Sequence, residues 1–160
     1  MIIRLAQQAD HSAVWSIIKP VIRAGTTYTL DRDLSRDEAL AYWFSDDKET
    51  FVAEQDGQLL GTYYLRANQG GGGRHVCNCG YITAAHASGQ GIARQMCLHS
   101  IDHAKTRGFR AMQFNFVVSS NNRAIRLWQS LGFEIVGRLP QAFDHPTEGV
   151  VDALIFYKVL

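Results

Sequence analysis

Tyr81-Ile82-Thr83 followed by His86-Ala87-Ser88-Gly89-Gln90-Gly91-Ile92-Ala93 reads as a strand, a glycine-bearing turn and the start of a helix. Such a turn aims unpaired backbone N–H groups and the positive end of a helix dipole at one point, and glycines without side chains let a pyrophosphate approach. An ordinary tight turn is the plainer reading of Gly-x-Gly. A dinucleotide fold would need a third glycine where Arg94 stands, and a Walker loop would need Gly-Lys-Ser/Thr; the sequence has neither. Two asparagines also stand out. Asn78 and Asn115 fall within strand-like stretches, where asparagine is depleted. An amide offers a donor and an acceptor without charge, so it can hold a neutral amine or a carboxylate. A bulge or a buried backbone group would equally account for such residues.

Other reactive side chains carry less. His75, Cys77 and Cys79 alternate along one strand, but no fourth ligand is evident, so no metal is expected. His99 and His103 are four apart on a helix, with Ser100 where a zinc protease needs glutamate, which favours a solvated helix face. Cys79 or Cys97 would serve a covalent route only with a paired base, and none is visible. His145, in Asp144-His145-Pro146, is expected in a loop before the last strand, where an imidazole can act as a base.

The elements that must position these groups follow from periodicity. Residues 2–5 form a short strand, and Asp10 is expected to cap an apolar helix through Val14, Ile18 and Ile22 that Pro20 kinks or ends early. Ser35 and Glu38 make a capping box for a second helix. Residues 51–53 and 59–65 are strands joined through Asp56-Gly57, a hairpin signal, and the four glycines 70–73 are a flexible connection to a strand over 75–83. A helix is expected over 89–106 with Gly108 as its stop, a strand over 111–118, an Asn121-capped helix ending at Gly132, and strands over 133–136 and 150–159. Strands that begin as a meander and then alternate with helices describe an α/β (α+β mixed) sheet with helices on its faces.

The chain of 160 residues has the size of one domain, residues 1–160. Sixteen basic and fifteen acidic residues leave a charge of +1, so neither nucleic acid nor an anionic membrane is an expected partner. No apolar run approaches a membrane span, and the first residues lack the character of a signal peptide. Three cysteines make no disulfide framework, so the cytoplasm is the expected compartment, with the domain alone or in a simple oligomer such as a homodimer.

The motif Asn121-Asn122-Arg123-Ala124-Ile125-Arg126-Leu127-Trp128-Gln129-Ser130-Leu131-Gly132-Phe133, one helix and one strand after the glycine turn, resembles the second signature of the GCN5-related N-acetyltransferase family. The resemblance covers nearly the whole chain. It implies a central, mostly antiparallel sheet flanked by about four helices, and acetyl-CoA as cosubstrate. The pyrophosphate would sit on the main-chain amides of Ser88, Gly89, Gln90, Gly91, Ile92 and Ala93. Tyr81, Ile82 and Thr83 would hold the pantetheine arm and offer an N–H to the thioester carbonyl. Two departures matter. His86 and Ser88 replace residues that commonly assist the phosphates, and Trp128 stands where many members carry the tyrosine that protonates the thiolate; an indole N–H is no acid, so Trp128 is read as packing. Asn78-Cys79-Gly80-Tyr81, Phe114-Asn115-Phe116-Val117-Val118, Tyr42-Trp43-Phe44 and Val151-Asp152-Ala153-Leu154-Ile155 are further similar to the fungal azetidine-2-carboxylate acetyltransferases. That likeness implies a proline-like small-molecule amine as acceptor, with Asn78 and Asn115 lining its site and Asn121 beside the CoA arm. The base stays open between water leading to His75, His145 or a backbone carbonyl. A catalytically weak acetyl-CoA sensor and a peptide acetyltransferase remain the alternatives.

Overall fold

In the computed structural model, which describes residues 1–160, the chain runs β1 (Ile2–Leu5), α1 (His11–Ala24), α2 (Arg36–Trp43), β2 (Glu49–Gln55), β3 (Gln58–Ala67), β4 (Val76–Thr83), α3 (Ile92–Thr106), β5 (Ala111–Val118), α4 (Asn122–Ser130), β6 (Glu134–His145) and β7 (Gly149–Val159). The strands form one sheet in the order β1-β2-β3-β4-β5-β7-β6. Every junction is antiparallel except β4–β5, which is parallel. This is the mixed α/β arrangement that the sequence implies.

Local chemistry explains most boundaries. Asp56 (φ 52°) and Gly57 (φ 76°) both take positive φ in the β2–β3 loop, the two-residue turn whose twist matches its strands. Ser35 Oγ accepts from the Glu38 N–H at 3.3 Å, and the Glu38 carboxylate accepts from the Ser35 N–H at 2.8 Å, closing the capping box of α2. Asp10 precedes α1 as expected, but its carboxylate does not cap that helix. It pairs with Arg4 at 2.8 Å and accepts from the Gln7 N–H at 2.7 Å, and the Arg4 guanidinium holds its pKa below the usual carboxylate range.

Residues on alternate strand positions separate the two faces. Tyr63 and Tyr81, paired across β3 and β4, turn to α3: the Tyr63 hydroxyl meets His99 Nδ1 at 2.6 Å and that of Tyr81 meets Ser100 Oγ at 2.6 Å. Tyr64, on the other face, meets the Tyr42 hydroxyl of α2 at 3.3 Å. Between these layers lies a core of 32 buried residues, centred on Trp43, Tyr63, Phe156 and the aliphatic face of α1. The Trp43 indole donates to Thr62 Oγ1 at 3.0 Å, and Thr62 in turn donates to the Phe51 carbonyl at 2.9 Å, so the fully buried hydroxyl has both a donor and an acceptor. No helix is long and apolar enough to cross a membrane.

Three further expectations are corrected. Helix α1 passes through Pro20 and ends only at Gly25 (φ 63°). Pro20 and Ser16, whose carbonyl loses its partner, both face solvent, while Val14, Ile17, Ile18 and Ile22 stay buried. Water can satisfy that carbonyl, and the packed face keeps the helix intact. Helix α3 starts at Ile92 rather than at 89, because Gly89 (φ 86°) and Gly91 (φ 78°) are left-handed. Strand β6 extends to His145, far past the expected end at 136. It is an edge strand, where Pro140 forfeits no ladder bond, and the register shift between Leu139 and Phe143 absorbs the proline and Gln141 at φ 52°.

Pro20→Ala restores an N–H to the Ser16 carbonyl in an otherwise regular helix. Urea unfolding is expected to show a gain of about 1–2 kcal/mol, the helix penalty of proline less the chain entropy it removes. A loss of stability would mean that the proline ring is itself a packing element.

Candidate active site

Strands β4 and β5 pair at only two positions, Val76 with Ala111 and Cys77 with Met112, and then part. At the fork, Asn78 Nδ2 donates to the Gln113 carbonyl at 2.9 Å, a side-chain bond where the next ladder bond would fall. Beyond it the backbone groups of β4 that would face β5 have no strand opposite. His75, two residues before the ladder starts to lapse, accepts the Arg110 N–H at 2.8 Å, and the Tyr81 carbonyl on the same side accepts the Tyr28 hydroxyl at 3.1 Å. In an extended strand the N–H of a residue points with its carbonyl, so the Tyr81 N–H faces the gap.

The gap is a cleft of about 540 Å³ that opens on both faces of the sheet. Ser88, Ala93, Asn121, Arg123 and Trp128 border it on the α3–α4 side, and Tyr28, Tyr42, Tyr64 and Arg66 on the α1–α2 side. Asn78, Tyr81, Ile82, Thr83 and Asn115 form the walls between them. The structure therefore brings together nine of the residues singled out from sequence: Asn78, Asn115, Tyr81, Ile82, Thr83, Ser88, Ala93, Asn121 and Trp128. Gly89, Gln90, Gly91 and Ile92 do not line the cleft; they make the turn between Ser88 and Ala93, which do, and the Ile92 side chain is in the core.

That turn is built as a donor cluster. The N–H groups of Gly89, Gly91, Ile92, Ala93 and Arg94 have no partner in the chain. Gly91 is the N-cap of α3 and supplies no side chain that would occupy them. A Cβ at Gly89 or Gly91 would meet nothing within 4 Å, so these glycines are required by their positive φ rather than by crowding. Beside the turn, Arg123 Nη1 donates to Ser88 Oγ at 2.6 Å. Arg123 therefore places a cation where the sequence departure at His86 and Ser88 suggested weaker support for phosphate. Nothing local in the α4 motif signals this role, because only the fold brings the first turn of α4 to Ser88. Asn121 caps α4 as expected, its Oδ1 accepting from the Ala124 N–H at 3.2 Å.

Asn115 lies in a β5 bulge, where Asn115 and Phe116 span a register shift between Phe114 and Val117. Its Nδ2 donates to Asn68 Oδ1 at 2.7 Å and its Oδ1 accepts from Gln113 Nε2 at 2.9 Å. Both asparagines thus carry structural bonds as well as facing the cleft. Trp128 is packed as expected, with ring centroids 4.9 Å from Phe114 and 5.2 Å from Tyr81.

No imidazole or carboxylate borders the cleft. His75 is outside it. His145 is buried at the end of β6, not in a solvated loop, and its Nδ1 accepts the N–H groups of Thr147 at 3.3 Å and Glu148 at 3.2 Å. Those bonds commit the nitrogen lone pair that a base would need. Cys79 reaches the cleft, but burial pushes its thiol pKa up, and Cys97 is likewise pushed up to about 12, the opposite of an activated nucleophile. His75, Cys77 and Cys79 gather no group of three or more metal-ligating side chains.

The turn makes a specific demand on Gly91. Gly91→Glu forces a side chain into left-handed backbone, a strain of about 1–2 kcal/mol, and sets a carboxylate against the free amides. In a variant shown to be folded by circular dichroism, calorimetry is expected to find acetyl-CoA affinity reduced at least about a hundredfold. Unchanged affinity would remove the turn from the site.

The profile of the acetyltransferase (GNAT) family matches residues 18–133. A GCN5-related N-acetyltransferase from Kribbella flavida superposes with a TM-score of 0.94 at 38% identity, covering 99% of this chain and 97% of that one. The N-acetyltransferase aca1 of Schizosaccharomyces pombe is 30% identical over 152 residues, 84% of this chain and 73% of its own length. The L-methionine sulfoximine/L-methionine sulfone acetyltransferase of Salmonella typhimurium is 29% identical over 146 residues, 88% of this chain and 84% of its own. With the parted β4–β5 pair, the free amides before α3 and the Asn121-capped α4 in one cleft, the chain belongs to the acetyltransferase (GNAT) family, as an acetyl-CoA-dependent N-acetyltransferase.

Proposed function

We propose that the chain acetylates the amine of a small amino or imino acid, with azetidine-2-carboxylate and proline-like rings as the leading acceptors. The observation that carries this reading is the α1–α2 side of the cleft, which Tyr28, Tyr42 and Tyr64 close down with aromatic rings and Arg66 supplies with a cation. A peptide would need an open groove there. The Salmonella typhimurium relative, named for two amino-acid derivatives, supports the same class.

Bound acetyl-CoA supplies the thioester. The free amides of Gly89, Gly91, Ile92, Ala93 and Arg94, with Arg123 beside them, hold its pyrophosphate, while the Gln90 N–H is spent on the Ala87 carbonyl, and Tyr81, Ile82 and Thr83 line the arm in place of the missing strand. Asn121 and Trp128 form the wall on the α4 side. The Tyr81 N–H meets the developing oxyanion, and donation from the Tyr28 hydroxyl to the Tyr81 carbonyl, in the next peptide unit, holds the adjoining backbone in place. Asn78 spends its N–H₂ on the Gln113 carbonyl, which leaves Oδ1 to accept an N–H from the attacking amine. Asn115, locked by Gln113 and Asn68, orients the other side of the acceptor. Trp128 takes no part in proton transfer. Three free cysteines agree with a cytoplasmic home. Exposed Ile135, Val136 and Leu139 on the β6 edge and Val150 on β7 offer an apolar surface on which a homodimer would close.

Thiol release with acetyl-CoA across amino acids, amines and a polyamine tests the reading, followed by a pH profile on the best acceptor. An amino or imino acid is expected to lead. Because no imidazole or carboxylate borders the cleft to take its proton, the amine must arrive neutral, and kcat/KM is expected to rise about tenfold per pH unit up to the pKa of the acceptor itself. The inflection should move when an acceptor of different basicity is used. A polyamine or peptide preferred over every amino acid would overturn the acceptor class, and a fixed inflection near neutral pH would return the base to a histidine.

A further inference from the structure

Among buried side-chain polar atoms, one has no hydrogen-bond partner: Nε of Arg66. Burying an unpaired donor on a cation is costly, and arginines in folded interiors are ordinarily satisfied along both edges of the guanidinium. Here only Nη1 is engaged, by Asp47 Oδ2 at 3.2 Å on the solvent side. In a planar guanidinium Nε and Nη2 form a second fork, and this fork is the free one.

Its position fixes what the fork can reach. Arg66 is the direct cross-strand partner of Asn78, on the sheet face shared by Tyr64 and Gly80, and it borders the cleft. Directly opposed residues stand about 5 Å apart, close enough for their two side chains to engage the amine and the carboxylate of one small acceptor. The surroundings favour an anion. Lys48 stands 3.6 Å over the Tyr42 ring and hydrogen-bonds the Tyr42 carbonyl; its pKa is pushed down to about 8 by burial, so it stays largely protonated at neutral pH. The hydroxyls of Tyr42 and Tyr64 meet close by, and burial raises the Tyr64 pKa so that its hydroxyl remains a neutral donor. Asp47 is the only carboxylate bonded to Arg66, and it takes the opposite edge.

We propose that Arg66 is the carboxylate anchor of the acceptor site: its Nε–Nη2 edge receives the α-carboxylate of an amino or imino acid whose amine then lies at Asn78. This rests on the amino-acid reading above and adds the residue that makes the enzyme select acids over simple amines. Arg66 touches the acceptor away from the reacting atoms, so its loss should act on acceptor KM more than on kcat.

The test compares each acid with its carboxamide, for example proline with prolinamide, in the parent, Arg66→Gln and Asp47→Asn. The parent is expected to prefer the acid. Arg66→Gln should raise KM for the acid about 10- to 100-fold, leave KM for the carboxamide and for acetyl-CoA within about twofold, and bring the acid-to-amide ratio of kcat/KM close to one. The basicity of each amine cancels when that ratio is compared between parent and variant. Asp47→Asn removes the other partner of Arg66 and should preserve the preference, which separates an anchor from a mere structural ion pair. An unchanged ratio in a folded Arg66→Gln that still prefers the acid overturns the proposal while the amino-acid reading stands. A collapsed ratio in Asp47→Asn equal to that of Arg66→Gln assigns the effect to the ion pair and also overturns it. A parent that prefers the carboxamide or a simple amine removes the amino-acid reading and the anchor together.

Discussion

A parallel strand pair that stops after two residues governs this molecule. Where β4 and β5 part after Cys77 and Met112, the chain gives up the ladder bonds that would have continued to Thr83 and Val118. Unpaired backbone groups in a sheet interior are destabilising unless something else meets them. The structure meets some of them from within: Asn78 reaches the Gln113 carbonyl, and the Tyr28 hydroxyl reaches the Tyr81 carbonyl. The remainder face the cleft, where the backbone donors and acceptors of β4 stand with no strand opposite.

Everything else in the site depends on that opening. It gives the N-terminal turn of α3 and the first turn of α4 a common space, so that Arg123 arrives at Ser88 although 35 residues separate them in sequence. It also joins the two faces of the sheet: the free amides at the left-handed glycines lie on one side, and the tyrosine-lined part of the cleft with Arg66 lies on the other. Donors fixed in advance cost no reorganisation when charge develops, and that makes the glycine turn and its orphaned amides worth keeping in a structure that must otherwise satisfy its backbone.

What could be read from residues alone was what is local. Gly89 and Gly91 require positive φ, Asn121 caps, Ser35 and Glu38 close a box, and Asp56-Gly57 turns a hairpin; each is decided within a few residues. The alternation of elements then suffices for the fold class. What could not be read depends on register and on faces. Pro20 interrupts nothing because its freed carbonyl happens to face water, and β6 runs through Pro140 because it is the sheet edge. Asn78 and Asn115 stand out in strands by residue type, yet their partners, Gln113 and Asn68, follow only from the fork and the bulge. His145 looked solvated and is instead bonded into the β6–β7 turn. Arg66, at the end of an apolar strand, gave no sign at all, because an unsatisfied nitrogen exists only once its surroundings are built.

The central claim, that the gap between β4 and β5 together with the turn before α3 is where acetyl-CoA binds, is tested most directly by amide hydrogen exchange of the native chain with and without acetyl-CoA. The account predicts strong protection on binding at Gly89, Gly91, Ile92, Ala93 and Arg94 and at Tyr81 and Thr83, with β1 and the β2–β3 turn unchanged. Binding that leaves those amides exchanging as before, or that protects a different surface, would contradict it.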